Sequence, residues 1–266
     1  MKLKKSVMYS MIGILVAALI IGYVAVSNLS GTANANQDNV AVQSSVMARL
    51  YGIANNYTLA EEIGTGAASN FPIDTNKTPL VYGGKPVIIY IGADYCPFCA
   101  ATRWGLIIAL MRFGNFTSLH YMTSSASDFA PGTPTFTFYN SSYSSPYINF
   151  DEVEELTNTY PYKVLQVPNS IENSTFDTFD LNNSIIPPSE RGGIPFIDFA
   201  NVSYQNGAEF SPLLINKYSW NQIIAMLGQP NSTVAQSIIG SANVFTAQIC
   251  RATNYKPPVC SMGFAK

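Results

Sequence analysis

The chain has 266 residues and a formal net charge of −2, and charged residues make up only 11% of it. Soluble domains usually carry about 25% charged residues, so the polarity of this chain comes mainly from Ser, Thr, Asn and Tyr. Because no excess of basic residues creates a positive field, the composition argues against nucleic-acid binding. The length is sufficient for one large domain or two small domains with a proper hydrophobic core.

The N-terminal residues predict a membrane anchor. Three lysines lie within the first five residues, and the run from Val7 to Val26 contains no charge. A helix needs about 20 such residues to cross a bilayer. The positive-inside rule then places residues 1–6 in the cytoplasm and the C-terminal domain outside the cell. The alternative is a cleaved signal peptide with an A-x-A site at 33–35.

Beyond the anchor, the chain is predicted to form one domain preceded by a linker. Residues 27–39 are small and polar, which is typical of a linker, and residues 40–266 form the domain. The apolar spacing of Val40–Leu50 predicts a helix. Thr58–Glu61 has the pattern of a capping box and predicts a second, short helix that ends near Gly64.

A strand, a Cys-x-x-Cys motif and a helix then follow one another. Val87–Ile91 is apolar and lies between glycines, which is typical of a strand buried on both faces. Ala100–Phe113 has apolar residues at helical spacing. Cys96 and Cys99 lie at the junction, so we expect them at the helix N-terminus, where Pro97 is tolerated in the first turn.

This placement favours thiol chemistry. The thiolate is the reactive form of cysteine, and a helix N-terminus stabilises it through unpaired N–H groups and a positive dipole end. Cys96 is therefore the predicted nucleophile, and Cys99 the residue that resolves the mixed disulfide. The alternatives are an inert disulfide and half of a zinc site. His120 is the only histidine and the other cysteines lack metal-ligand spacing, so no metal is expected.

A second motif, Gly193-Ile194-Pro195, opens another predicted strand at Phe196–Ala200. Together with the Cys-x-x-Cys segment it resembles the thioredoxin superfamily. The resemblance implies an α/β fold with a thioredoxin-like central mixed sheet flanked by helices. It also implies that Pro195 is cis and packs beside the cysteines, while the backbone of Ile194 offers hydrogen bonds to a docked peptide.

The segments GADYCPFC, GGIPFIDFAN and ANVFTAQIC…VC resemble more closely a group of archaeal membrane-anchored thioredoxin-like proteins, which form a family of unknown function. This resemblance covers most of the chain after about residue 40 and implies a redox-active site without an established substrate. No dissociable cofactor is implied.

Other residues near the motif are given roles by analogy or by position. Pro97 and Phe98 are expected to tune the redox couple and to contact the substrate. Many thioredoxin relatives bury an acid six residues before the first cysteine, and this chain has Tyr90 there. Asp94 is a candidate proton relay, with helix capping as its alternative role. Arg103 is predicted to lie on the surface.

The stretch between the two motifs is longer than in a minimal thioredoxin, which predicts an insertion at about 124–188 that is rich in strands and loops. Leu119–Thr123, just before it, is predicted to be a strand that returns to the central sheet. Thr133–Tyr139 alternates in the manner of a strand. Asp151–Leu156 is predicted to form one or two helical turns.

The C-terminal part is predicted to contain a strand at Val202–Gln205, a helix at Ser219–Leu227 and a final helix at Ser232–Ala252. Cys250 and Cys260 are predicted to form a structural disulfide, with a second redox pair or free thiols as alternatives. Sequons make eight asparagines candidates for glycosylation: Asn56, Asn76, Asn115, Asn140, Asn173, Asn182, Asn201 and Asn231.

These patterns predict an extracytoplasmic, membrane-anchored thiol–disulfide oxidoreductase that oxidises or isomerises the disulfides of exported proteins through Cys96 and Cys99. Its expected partners are cysteine-containing exported proteins and a redox partner, for which a membrane-bound protein is one candidate. The alternative is a cell-surface glycoprotein or binding module on the same fold, in which both cysteine pairs are structural disulfides.

Overall fold

A computed structural model describes residues 37–266 of the chain. The α-helices in this range are α1 (Ser44–Ala54), α2 (Tyr57–Ile63), α3 (Pro97–Leu110), α4 (Ser170–Phe176), α5 (Trp220–Leu227) and α6 (Thr233–Ala252). The strands are β1 (Ile73–Asp74), β2 (Val81–Tyr82), β3 (Lys85–Gly92), β4 (Asn115–Thr123), β5 (Pro134–Ser144), β6 (Asn149–Glu154), β7 (Phe196–Phe199) and β8 (Ser203–Asn206). A π-helical turn, Asp177–Leu181, continues α4.

The central sheet is mixed, with β3 in its middle. β6 pairs with β3 in parallel, and β7 pairs with the other side of β3 in antiparallel orientation. β8 and β1 extend the sheet beyond β7, and the short β2 pairs with the first residues of β3. The carboxyl ends of β3 and β6 therefore lie side by side, where the Cys-x-x-Cys segment leaves the sheet.

β3 is buried on both faces, as its sequence predicts. Ile88 and Tyr90 face the larger hydrophobic cluster, which includes residues of α3 and α6. Val87, Ile89 and Ile91 face a smaller cluster on the opposite side of the sheet. This alternation is the two-residue period of a strand. Packing on both faces fixes the end of β3 that leads to the cysteines.

Two predictions about the strands are wrong. Asp151–Leu156 does not form helical turns, because Asn149–Glu154 is strand β6 and pairs with β3 over its whole length. Leu119–Thr123 lies in a strand, but β4 pairs with β5 in a separate two-stranded sheet and does not return to the central one. The predicted insertion at 124–188 therefore contributes a strand to the central sheet as well as helix α4.

Five of the six described α-helices are predicted by the sequence in the right order, but α4 is not, and several first residues differ. α3 begins at Pro97, three residues before the predicted start, because Cys96 caps the helix. α2 is capped by the Asn56 side chain, which accepts a hydrogen bond from the Leu59 N–H, and not by the predicted Thr58 capping box. The Ser219 cap of α5 and the final helix α6 are confirmed.

The predicted membrane helix requires a correction. Within residues 37–266, no helix is long and apolar enough to cross a membrane. The predicted anchor at 7–26, residues 1–6 and most of the linker at 27–39 lie outside the described residues. The predicted fold class is therefore corrected to a mixed α/β fold without a membrane-spanning helix among the described residues. The predicted single-pass location in the cell membrane is not supported, and no location is assigned.

Cys250 and Cys260 form a disulfide, as predicted. Cys250 lies in the last turn of α6 and Cys260 lies in a 3₁₀ turn, Pro258–Ser261, and both side chains are buried. The bond closes a loop in which the two residues are 10 positions apart, so it ties the C-terminal tail to the core.

Replacing both Cys250 and Cys260 by Ala should lower the free energy of unfolding by about 2–3 kcal/mol, because the unfolded chain regains the entropy of this loop. Urea denaturation of the variant and of the wild type, each with and without reductant, measures the difference. Reductant should lower the stability of the wild type relative to that of the double variant, since both proteins retain the Cys96–Cys99 pair and only the wild type has the second disulfide. Equal stabilities of the two oxidised proteins would contradict the prediction.

Candidate active site

The two remaining cysteines lie at the N-terminus of α3. Cys96 is the N-cap residue, with extended backbone, and Pro97 occupies the first turn. The N–H of Cys96 donates to the carbonyl of Ala93, which fixes the short connection from β3. The Cys-x-x-Cys pair therefore has the predicted position between a central strand and a helix.

Both cysteines are free thiols, and their surroundings differ. The N–H of Cys99 donates to the Sγ atom of Cys96 at 3.2 Å, so the sulfur itself acts as the helix cap. Cys96 is 5% exposed, whereas Cys99 is completely buried. Cys96 is thus the sulfur that an incoming disulfide reaches first.

The pKa values of the two thiols move in opposite directions. A hydrogen bond from the Cys99 side chain lowers the pKa of Cys96, with help from the Cys99 N–H and the Arg103 charge, although burial opposes them. Burial raises the pKa of Cys99 well above its usual range, and the hydrogen bond to Cys96 adds to this. The arrangement favours a thiolate on Cys96 and a thiol on Cys99.

Cys99→Ala should shift the pH profile of Cys96 alkylation to higher pH, because it removes the largest contribution that lowers the Cys96 pKa. Cys99→Ser is the matched control, since its hydroxyl retains a donor, and it should shift the profile less. Iodoacetamide labelling followed by mass spectrometry gives the rates. Identical profiles for the two variants, or faster labelling of Cys99 than of Cys96 in the wild type, would contradict the assignment.

The Gly-Ile-Pro segment lies against Cys96. The Ile194–Pro195 peptide bond is cis, as predicted. The Cys96 thiol donates to the carbonyl oxygen of Ile194, with 3.8 Å between sulfur and oxygen. Pro195 is buried and Ile194 is half-buried, so the structure brings these two predicted substrate-binding residues to the reactive sulfur.

Beside this contact lies an open groove of about 500 Å³. Phe98 and Ile194 line it next to Cys96, the loop 189–193 forms one wall, and Phe71 and Ile185 contribute exposed apolar side chains. Phe98 is 39% exposed, so it is accessible to a bound chain, whereas Pro97 is buried. The ring of Phe98 stacks on the ring of Phe129.

Arg103 does not lie on the surface, so the predicted surface position is wrong. Its side chain is completely buried. Its Nε atom donates to Glu154 Oε1 at 2.8 Å, and its Nη2 atom donates to the Ala93 carbonyl at 2.8 Å. The guanidinium therefore joins α3, the Cys96 connection and the end of β6. A signal for this was present in the sequence: Arg103 lies four residues after Cys99 and so on the same helix face.

Asp94, the candidate proton relay, is buried beside the same guanidinium. Its Oδ1 atom lies 3.6 Å from Arg103 Nη2, and burial raises its pKa. Asp94 does not cap α3, since Cys96 does. Glu154, which the sequence analysis missed, is a second buried carboxyl here; burial raises its pKa, and the Arg103 charge opposes this. The Tyr90 hydroxyl is also buried, without a hydrogen-bond partner among the described residues.

The remaining predicted sites lie away from the cysteines. His120 is a half-buried residue of β4. The sequon residue Asn201 is half-buried, and Asn56 uses its side chain to cap α2. The other sequon residues are exposed, so their glycosylation stays a prediction: Asn76, Asn115, Asn140, Asn173, Asn182 and Asn231.

Comparison with known proteins gives a family but not an activity. A family model described as "Domain of unknown function (DUF929)" matches residues 72–251. No curated protein and no solved structure matches the chain. The matched region covers more than half of the chain and includes β3, both free cysteines and Pro195. The chain therefore belongs to the DUF929 family.

Proposed function

We propose that this protein is a thiol–disulfide oxidoreductase with a thioredoxin-like fold, acting on disulfides and cysteine pairs of other proteins. The observation that carries the proposal is the contact between Cys96 and its surroundings. Its sulfur accepts the N–H of Cys99 at the start of α3 and lies 3.8 Å from the carbonyl that precedes the cis proline. A helix N-terminus stabilises a thiolate at this position.

The strand order supports the thioredoxin-like part of the proposal. β6, β3, β7 and β8 are neighbours in that order, with the first pair parallel and the other two antiparallel. The Cys-x-x-Cys helix follows β3, and the cis proline precedes β7. Since β3 and β7 are adjacent, the sheet itself brings the two motifs together.

The reaction has two exchange steps. The Cys96 thiolate attacks one sulfur of a substrate disulfide, which forms a mixed disulfide and releases the other substrate sulfur as a thiolate. Cys99 then loses its proton and attacks Cys96 Sγ, which releases the second substrate thiol and leaves a Cys96–Cys99 disulfide. The charges of Arg103 and Glu154 act on Cys99, and Asp94 lies 3.6 Å from Arg103, so these two carboxylates are the candidates to accept the proton from Cys99.

The reverse reaction oxidises a substrate dithiol, and we propose it as the favoured direction. Hydrogen bonds to Cys96 and the Arg103 charge lower its pKa. A stabilised thiolate favours the reduced form of the pair and is a good leaving group, which makes the disulfide form an oxidant. In isomerisation a different thiolate of the substrate attacks the mixed disulfide, which forms a new substrate disulfide and releases the Cys96 thiolate. No step requires a dissociable cofactor.

Covalent trapping tests the proposal. Cys99→Ser protein, incubated with a disulfide-bonded test protein such as scrambled ribonuclease, should accumulate a mixed disulfide through Cys96 that reductant releases. Cys96→Ser is the control and should trap nothing. A wild-type protein that neither oxidises nor rearranges such a substrate, with a Cys99→Ser variant that traps no partner, would favour the alternative of a binding module with structural cysteines.

A further inference from the structure

The loop that precedes the cis proline is held by one carboxylate from the segment between β6 and β7. Asp180 lies in the π-helical turn after α4, and its side chain is completely buried. Its Oδ1 atom accepts the N–H of Gly192 at 2.5 Å, and its Oδ2 atom accepts the Nδ2 group of Asn206 at 2.6 Å. A single side chain therefore links the loop to the end of β8.

Two glycines allow the loop to follow its observed course, so contacts from outside the loop must hold it there. Gly192 has φ +77°, a backbone conformation that residues with a side chain rarely adopt. A Cβ atom on Gly193 would lie 3.0 Å from the carbonyl oxygen of Glu190. The N–H of Gly207 donates to the Pro195 carbonyl at 2.8 Å. The course of the backbone at 190–195 thus depends on Asp180 and on the Asn206–Gly207 segment.

This loop also forms one wall of the groove beside Cys96. Gly192, Gly193, Ile194 and Asn206 all line the groove. Ile194 is two residues from the N–H that Asp180 holds, and its carbonyl oxygen is the atom in contact with Cys96. Asp180 itself makes no hydrogen bond to either cysteine, so it acts on a bound substrate through the groove wall.

Resting on the proposed function, we propose that Asp180 is a positioning residue that determines the affinity for polypeptide substrates. Its two acceptor oxygens match the two donors, Gly192 and Asn206, and so hold the groove wall in its substrate-binding form. Loss of one of these bonds should weaken substrate binding while the intrinsic reactivity of Cys96 stays unchanged.

The donor and acceptor pattern allows a rescue experiment. In Asp180→Asn, one amide oxygen can still accept from Gly192, but the amide nitrogen meets the Asn206 nitrogen. In the double variant Asp180→Asn/Asn206→Asp the two groups exchange roles and both bonds can form again. Asp177→Asn is the control, because it removes the same charge from an exposed residue of the same turn.

We expect Asp180→Asn to raise the KM for a disulfide-bonded peptide about tenfold, the change that accompanies loss of one charge-assisted hydrogen bond. Its kcat and the rate at which Cys96 reacts with iodoacetamide should stay within about twofold of wild type. The double variant should recover most of the KM, and Asp177→Asn should resemble wild type. Hydrogen exchange of the Gly192 amide should accelerate in Asp180→Asn, because the bond to Asn206 that fixes its acceptor is lost, and should return toward the wild-type rate in the double variant.

An unchanged KM in Asp180→Asn would overturn this inference alone, and so would a double variant that fails to recover. An equal loss of iodoacetamide reactivity would show that Asp180 merely supports the fold. A wild-type protein without any exchange activity would overturn the proposed function and with it the substrate-binding role. In that case the hydrogen-exchange rates still report whether Asp180 holds the loop.

Discussion

Arg103→Met is expected to lower the free energy of unfolding by about 3–5 kcal/mol, the range for removing one partner of a buried ion pair. Both Arg103 and Glu154 are completely buried. Without the guanidinium, the Glu154 carboxyl keeps its desolvation cost and loses its partner, and the Ala93 carbonyl loses a donor. Urea denaturation at neutral pH measures the loss.

The double variant Arg103→Met/Glu154→Leu should recover much of this loss, because an apolar pair of similar volume does not need to be solvated. A double variant no more stable than Arg103→Met would show that the pair is not the cause. The single variant should also move the alkylation profile of Cys96 to higher pH, since the Arg103 charge helps to lower the Cys96 pKa. The pair therefore links stability and thiol reactivity.

The free energy of unfolding is also expected to fall as the pH rises from about 5 to 8, and Glu209 is a main cause. Burial raises the pKa of Glu209 from its ordinary value of 4.5 to about 8. Between these values the native state keeps a proton that the unfolded chain loses. The stabilising contribution of protonated Glu209 is therefore complete below pH 4.5. It is lost as the pH rises to 8, by up to about 1.4 kcal/mol per pH unit.

Glu209→Gln should reduce the slope of the unfolding free energy against pH by the contribution of about one proton, because the amide does not ionise. Its oxygen can still accept hydrogen bonds from Gln205 and Thr102. Glu62→Gln, which changes an exposed carboxylate, should leave the slope as in wild type. Burial also raises the pKa of Asp198 to about 7, so part of the slope should remain. Equal slopes in all three proteins would contradict the prediction.

Several local patterns of the sequence were reliable, although the capping box predicted at Thr58 was not. The apolar run of β3, the cysteines at the start of α3 and the Ser219 cap of α5 are all short-range features, and the structure has them. The disulfide between Cys250 and Cys260 also joins residues that are close in sequence, 10 positions apart. For these elements, burial periodicity and helix-capping chemistry were sufficient.

The interpretation failed where a polar residue is buried against a distant partner. Asp151–Leu156 is predicted to form helical turns, but six pairings with β3 make Asn149–Glu154 a strand. For Arg103 the sequence predicts a place on the helix surface, in solubility or a surface ion pair, and the side chain is instead buried. Its partner Glu154 is 51 residues away, a separation that no periodicity reports.

The sequence by itself determined the candidate site: two thiols at a helix N-terminus after a buried strand, and a Gly-Ile-Pro segment before another. Only the tertiary structure decided what surrounds them, namely the buried Arg103–Glu154 pair and the Asp180 link to the groove wall. The physical reason is that helices, caps and strands arise from interactions within a few residues. The burial of charged groups depends on partners that only the folded chain brings together.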